Sequence, residues 1–289
     1  MKTTRIGVVL ALVAAVVVGC SSLPTEIEIP VGILPGGSIG PGTNVVTGTG
    51  NKAWLSVGWG NVDPAAYGGP MPCPGTDVDS QGLYTVGAGS GYTAVMLQDA
   101  AAPWSEVIRN SMALTQGYMR GDRFVLTMSG HGAWGPDDNG DEPSGMDSFI
   151  CAWDQQVRDD RFFTELLVPL ARQTPGLRVT IIADQCHSEG NFKHAKARGG
   201  YRLVSELHFR GTIDLELIHI AGSFEPDYAY GTFSGGRLSQ NLLSVLARGG
   251  ATTRSLFVDT EFLMPSNQPI VWSEYGNVSD AFRNMLVLE

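Results

Sequence analysis

The chain has 289 residues, enough to bury a substantial core as one large domain or two small ones, and its 43% hydrophobic and 17% charged content excludes wholesale disorder. Its formal net charge is −10 and no basic patch interrupts the acidic balance, which excludes the electrostatic footprint of a nucleic-acid binder. The 37 Gly and 16 Pro point to many loops and tight turns.

The first segment reads as an export signal. Lys2 and Arg5 form a basic start, and Ile6–Val18 is a run of thirteen residues without a polar side chain. That length suits the core of a signal peptide and is short for a membrane-spanning helix. The run ends in Val17-Val18-Gly19-Cys20, followed by Ser21 and Ser22, which resembles the lipobox of bacterial lipoproteins. The resemblance implies that residues 1–19 are removed and that Cys20 is diacylated. The chain would then be held to a lipid membrane at the cell envelope, on its periplasmic face, without spanning it. An ordinary cleaved signal peptide or a short anchor are the alternatives. Residues 20–51 have almost no charge and frequent Gly and Pro, the composition of a tether, so the folded domain is expected over 52–289.

Within that domain Ala53–Trp59 is predicted as a first strand, residues 60–75 as turns and Ala94–Gln98 as a second strand. Trp104–Gly117 places Val107, Ile108, Met112 and Leu114 at helical spacing. Arg123–Met128 is a short strand that delivers the chain to Ser129-Gly130-His131-Gly132. A long loop with the acidic cluster 137–142 follows, then Phe149–Trp153. Arg161–Ala171 is predicted helical. Leu177–Ala183 is nearly all β-branched or apolar, the pattern of a strand buried on both faces. It runs into Asp184-Gln185-Cys186-His187-Ser188. Leu215–Ala221 is a further strand and Leu238–Ala247 a helix, with strand-like and turn-rich sequence after it. Strands alternating with helices predict an α/β sheet with crossover connections.

Two of these strands end in residues able to do chemistry. Open α/β sheets bind ligands outside the carboxyl ends of their strands. If the two strands are parallel neighbours, His131 and Cys186 meet across one crevice although 55 positions apart, as a base and a nucleophile. Gly130 and Gly132 let backbone pass close to a substrate, and the Gly132 amide, with that of Cys186, could face a developing oxyanion. Taken singly, a strand-end Cys is usually inert core and a strand-end His a satisfied polar residue. With Cys20 acylated, Cys73, Cys151 and Cys186 remain, an odd number for an exported chain, and a Cys73–Cys151 disulfide stays open.

Ser129–Gly132 and the later Asp184, Cys186, His187 and Ser188, in this order and spacing, resemble the motifs of caspase-like cysteine peptidases of the bacterial metacaspase branch. The resemblance covers about residues 52–289. It implies a caspase-like three-layer sandwich, a mostly parallel central sheet with helices on both faces. It implies Cys186 as nucleophile, His131 as its partner, and cleavage of peptides after Arg or Lys. Asp184 and Ser129 match two positions of the specificity pocket. For the third, an early Asp near a Cys, Asp77 is chosen and Asp79 is the rival. The chemistry needs no cofactor, but calcium activates some members at positions matching Asp147, Asp159 and Asp160. Lys193 stands near where those members carry a further acid. The Gly after the motif Ser is displaced by Glu189. The competing expectations are a catalytically silent domain that binds at the cell envelope, and a hydrolase of another bond type.

Overall fold

The computed structural model describes residues 44–48, 51–137, 145–191, 213–224 and 227–289. The expected signal peptide, Cys20, most of the tether, most of the acidic loop and Lys193 lie outside the described residues. In chain order the strands are β1 (Asn44–Val46), β2 (Lys52–Gly58), β3 (Thr93–Gln98), β4 (Arg123–Ser129), β5 (Gly132–Pro136), β6 (Met146–Cys151), β7 (Gln156–Arg158), β8 (Leu177–Asp184), β9 (Leu215–Ala221), β10 (Gly231–Thr232), β11 (Gly235–Gly236) and β12 (Val271–Tyr275).

Seven of them make one sheet in the order β1-β3-β2-β4-β8-β9-β12. The five inner strands are parallel, and β1 and β12 close the two edges antiparallel. Alternation along the strands sends side chains to two cores. Leu177, Val179, Ile181 and Ala183 pack with the helix Trp104–Leu114 and the helical segment 159–173. Ile182, Ile218 and Ile220 pack with the helices Arg237–Leu246 and Thr253–Leu263, and Leu83 of Thr76–Gly89 joins them. The result is the expected sandwich of helices, sheet and helices. No helix among the described residues is long and apolar enough to cross a membrane.

Two helical segments differ from the sequence reading, and a third helix lies where that reading makes no assignment. The helix expected over 161–171 begins at Asp159 and widens to a π-helical turn over Phe163–Leu167 before Val168–Gln173. Pro169 has no N–H to give to the carbonyl four residues back, so the regular ladder breaks there. Residues 253–263, within the stretch expected to be strand-like and turn-rich, form a helix. Its start is fixed by a reciprocal cap: Ser255 N–H donates to Thr252 Oγ1 at 3.1 Å and Thr252 N–H to Ser255 Oγ at 2.9 Å. Thr76–Gly89 is also helical, although its glycines disfavour a helix.

Candidate active site

The parallel register aligns Gly58, Ser129 and Asp184 at the carboxyl edge of the sheet. The strand order turns at β2, with β3 on one side and β4 on the other, which is the topological switch point where α/β sheets bind ligands. Beyond Ser129 the chain passes Gly130 and His131 into β5, with the His131 carbonyl accepting from Cys151 N–H at 3.1 Å. Beyond Asp184 it reaches Cys186. A Cβ on Gly132 would stand 1.8 Å from the Cys186 carbonyl oxygen, so the two backbones touch and only glycine fits. The structure thus brings the segment His131–Gly132 against Cys186.

His131 places Nε2 3.1 Å from the Pro72 carbonyl. A carbonyl can only accept, so Nε2 donates, which leaves Nδ1 as the nitrogen with a lone pair in the neutral ring. The Cys186 thiol is half-buried and faces the Ala229 carbonyl at 3.6 Å. Burial pushes it above the ordinary thiol range, Asp184 adds to the rise, and backbone hydrogen bonding opposes it. The thiol therefore needs a base at neutral pH.

The loop after Cys186 is pinned to the end of β9. Ser188 Oγ accepts from Gly222 N–H at 2.9 Å and Ser223 N–H at 3.3 Å, while Ser223 Oγ donates to the Gln185 carbonyl at 3.1 Å. Glu189 N–H donates to the Ser223 carbonyl at 3.1 Å, so the displaced Gly is absorbed in the tight turn Ser188–Asn191.

Beside these two segments lies an acidic pair. Ser129 Oγ donates to Asp79 Oδ2 at 2.7 Å, and Gly236 N–H donates to the same oxygen at 2.9 Å. Asp184 Oδ2 accepts from Ser239 N–H at 2.8 Å. Asp79 is 0% and Asp184 5% exposed, and no cation among the described residues is paired with either. Burial and then the Asp79 charge raise Asp184 to about 7; burial also raises Asp79 against its hydrogen bonds from Gly236, Ser129 and Gln240. Gly235 and Gly236 cover the pair: a Cβ on either would stand 2.2 or 2.1 Å from a carboxylate oxygen of Asp79 or Asp184, respectively.

Asp77, the expected third pocket residue, is exposed, and the structure puts Asp79 against Ser129 instead. The two sit two positions apart on one helix, roughly 200° around its axis, so they cannot face the same way. The Pro72 and Ala229 carbonyls and Gly235–Gly236 also line or brace the site without having been assigned from sequence, since backbone groups carry no residue-type signal. Cys73 and Cys151 are both free thiols, which burial raises to about 11 and about 12.

A separate cluster joins β6 to the helical segment after β7. Asp147, Asp159 and Asp160 each offer a carboxylate oxygen, all within 4.8 Å of one another, and Arg158 Nε lies 3.0 Å from Asp147. An all-oxygen, acidic donor set fits a hard cation.

Residues 93–193 match the family of the metacaspase, peptidase C14 domain. That span holds both strand-end motifs. Over that span the chain is similar to the metacaspase domain. It is 34% identical over 149 residues to metacaspase-4 of Arabidopsis thaliana, which is 44% of this chain and 35% of that protein. It is 35% identical over 88 residues to metacaspase-1B of Aspergillus fumigatus, 29% of this chain and 21% of that one. The matched part thus spans about a third or less of these relatives' length. The fold is shared with a protein of Geobacter sulfurreducens, at TM-score 0.68 and 21% identity over 83% of this chain and 98% of that one. It is also shared with caspase-1 of Spodoptera frugiperda, at TM-score 0.52 and 14% identity over 86% and 92%.

Proposed function

We propose that the caspase-type domain is a cysteine endopeptidase that cuts peptides after Arg or Lys, with Cys186 as nucleophile and His131 as base. The observation that carries the reading is the buried Asp79–Asp184 pair, to which no cation among the described residues is paired, against the strand ends that lead to His131 and Cys186. Two desolvated carboxylates repel, and a guanidinium with its fork of five donors relieves the repulsion and pairs with both.

In this mechanism His131 Nδ1 takes the Cys186 proton as the sulfur attacks the scissile carbonyl carbon. The oxyanion accepts from the Gly132 and Cys186 amides. The imidazolium, steadied through Nε2–H on the Pro72 carbonyl, gives the proton to the leaving amine. Water, deprotonated by His131, then attacks the thioester, and the departing thiolate recovers its proton. Asp79 and Asp184 lie beneath Gly235 and Gly236, so the substrate cation enters as that cover gives way.

Incubating residues 21–289 with matched peptides carrying Arg, Lys, Gln or Asp before the cut tests the reading; preference for Asp would end it. Asp79→Asn should lower kcat/KM for Arg peptides about ten- to a hundredfold, the loss of a charge-assisted pair of about 1.5–3 kcal/mol, while Asp77→Asn changes it little. The preference for Arg over Gln should rise as pH climbs through about 7, because Asp184 gains its charge there. Equal losses on Arg and Gln peptides would assign Asp79 to the fold alone. The cover over the acids favours a second reading, a silent binding domain. Labelling of Cys186 by an Arg-directed thiol-reactive peptide decides between them.

Asp147, Asp159 and Asp160 would hold calcium, which supplies positive charge to three crowded carboxylates and ties β6 to the helical segment at 159. Calcium should raise the Tm of the parent and not of Asp160→Asn, read by thermal unfolding with and without chelator. Cys20 is proposed as the lipid-modified residue: a Cys20→Ser chain should move from the membrane to the soluble fraction, and retention after washing would make the apolar run an anchor.

A further inference from the structure

Past the crevice of Cys186 and His131 the two active-site segments bring aromatic rings together. Trp134 stands on β5, three residues after His131, and His187 directly follows Cys186. Their rings stack, with centroids 6.0 Å apart and planes 13° from parallel. Tyr228 meets His187 edge-on at 5.2 Å and 66°. The backbone fixes this arrangement. His187 adopts a left-handed φ of 57°, uncommon for a residue with a side chain, and its N–H donates to the Asp227 carbonyl at 3.0 Å. The His187 ring is buried under its neighbours, whereas Trp134 and Tyr228 remain 43% and 62% exposed. Two large aromatic side chains left open beside a nucleophile are a surface for an apolar group.

The order of residues along the two segments says which group. On each, the pocket residue comes two positions before the reactive one: Ser129 before His131, Asp184 before Cys186. On each, the aromatic comes after it. Along both segments the reactive residue stands between the pocket residue and the ring residue in the chain. A peptide whose basic side chain sits at Asp79 and Asp184, with its carbonyl at Cys186, continues on the far side of the sulfur, toward Trp134 and Tyr228.

We infer that Trp134, His187 and Tyr228 form a subsite for an aromatic or large aliphatic side chain on the residue that follows the cut bond. The inference rests on the peptidase reading above and adds a second determinant of sequence preference. The stacked pair Trp134–His187 supplies its flat wall and Tyr228 its edge.

The test uses internally quenched peptides that differ only after the cut, with Phe, Leu, Ala, Lys or Asp there and Arg before it. The parent should cleave the Phe peptide about tenfold or more faster in kcat/KM than the Ala peptide. In Trp134→Ala and in Tyr228→Ala that ratio should fall toward unity, and Trp134→Phe should restore most of it. Phe262→Ser, altering an 89% exposed ring on the distant helix Thr253–Leu263, should leave the ratio and the rate as in the parent. A parent that cleaves the Phe and Ala peptides equally, or a Trp134→Ala enzyme that keeps the full ratio, overturns the subsite alone. A parent that cleaves none of the peptides overturns the peptidase reading and the subsite with it.

Discussion

Replacing Cys186 by Ala should leave a folded protein that turns over no peptide. The sulfur is half-buried and its hydrogen bond to the Ala229 carbonyl, at 3.6 Å, is weak, so the change removes one atom and opens little space. The loop around it is held by other groups: Ser188 and Ser223 tie it to β9, and Gly132 rests on the Cys186 backbone rather than its side chain. Circular dichroism and Tm should therefore match the parent, while cleavage of Arg peptides falls to the buffer rate. Mass spectrometry after treatment with an Arg-directed thiol-reactive peptide should find the adduct on Cys186 in the parent and on no thiol in the variant. Labelling of Cys73 or Cys151 at a comparable rate would contradict the assignment, since burial holds both those thiols at about 11 or above.

His131→Ala should lower kcat about 10²–10⁴-fold, the usual contribution of a positioned general base. Its pH profile separates a base from a structural residue. Burial holds the Cys186 thiol above its ordinary range, so without the imidazole the thiolate must form unaided. The variant's rate should then keep climbing into the alkaline range, where the parent's has levelled. Because His131 is partly exposed and its one side-chain hydrogen bond goes to the Pro72 carbonyl, the fold should tolerate its loss. A variant with a flat profile and parental rate would remove His131 from the chemistry.

The parts of this molecule that follow from apolar patterning were legible in the sequence. Leu177–Ala183 and Leu215–Ala221 have side chains for both faces, and they are neighbouring parallel strands. The placement of Ser129–Gly132 and Asp184–Cys186 at strand ends follows from the same pattern. The helix Thr76–Gly89 was not legible because its glycines answer a tertiary need. A Cβ on Gly87 would stand 2.8 Å from the Trp54 indole, and one on Gly82 would stand 2.7 Å from Leu243. Close packing there overrides the cost of glycine in a helix. Asp77 and Asp79 could not be told apart for a related reason. Only once the segment is known to be helical does their spacing point one carboxylate outward and the other at Ser129. The role of Pro72 is carried by a carbonyl, which every residue has.

The Asp79–Asp184 pair, to which no cation among the described residues is paired, also makes the domain a proton acceptor. In the unfolded chain an aspartate releases its proton near 3.8; in the fold Asp184 holds it to about 7. Between those values folding takes up a proton, so this group's contribution to stability is most favourable at the acid end, falls as pH rises through the window and is level above it. On the proposed reading a bound guanidinium would do the proton's work at higher pH. It should raise Tm more at pH 8 than at pH 5 and expel a proton as it binds near pH 6. On the proposed reading the pair is a stored destabilisation that a basic ligand would release, and a small guanidine compound would be recognised by heating alone, without any bond being cut.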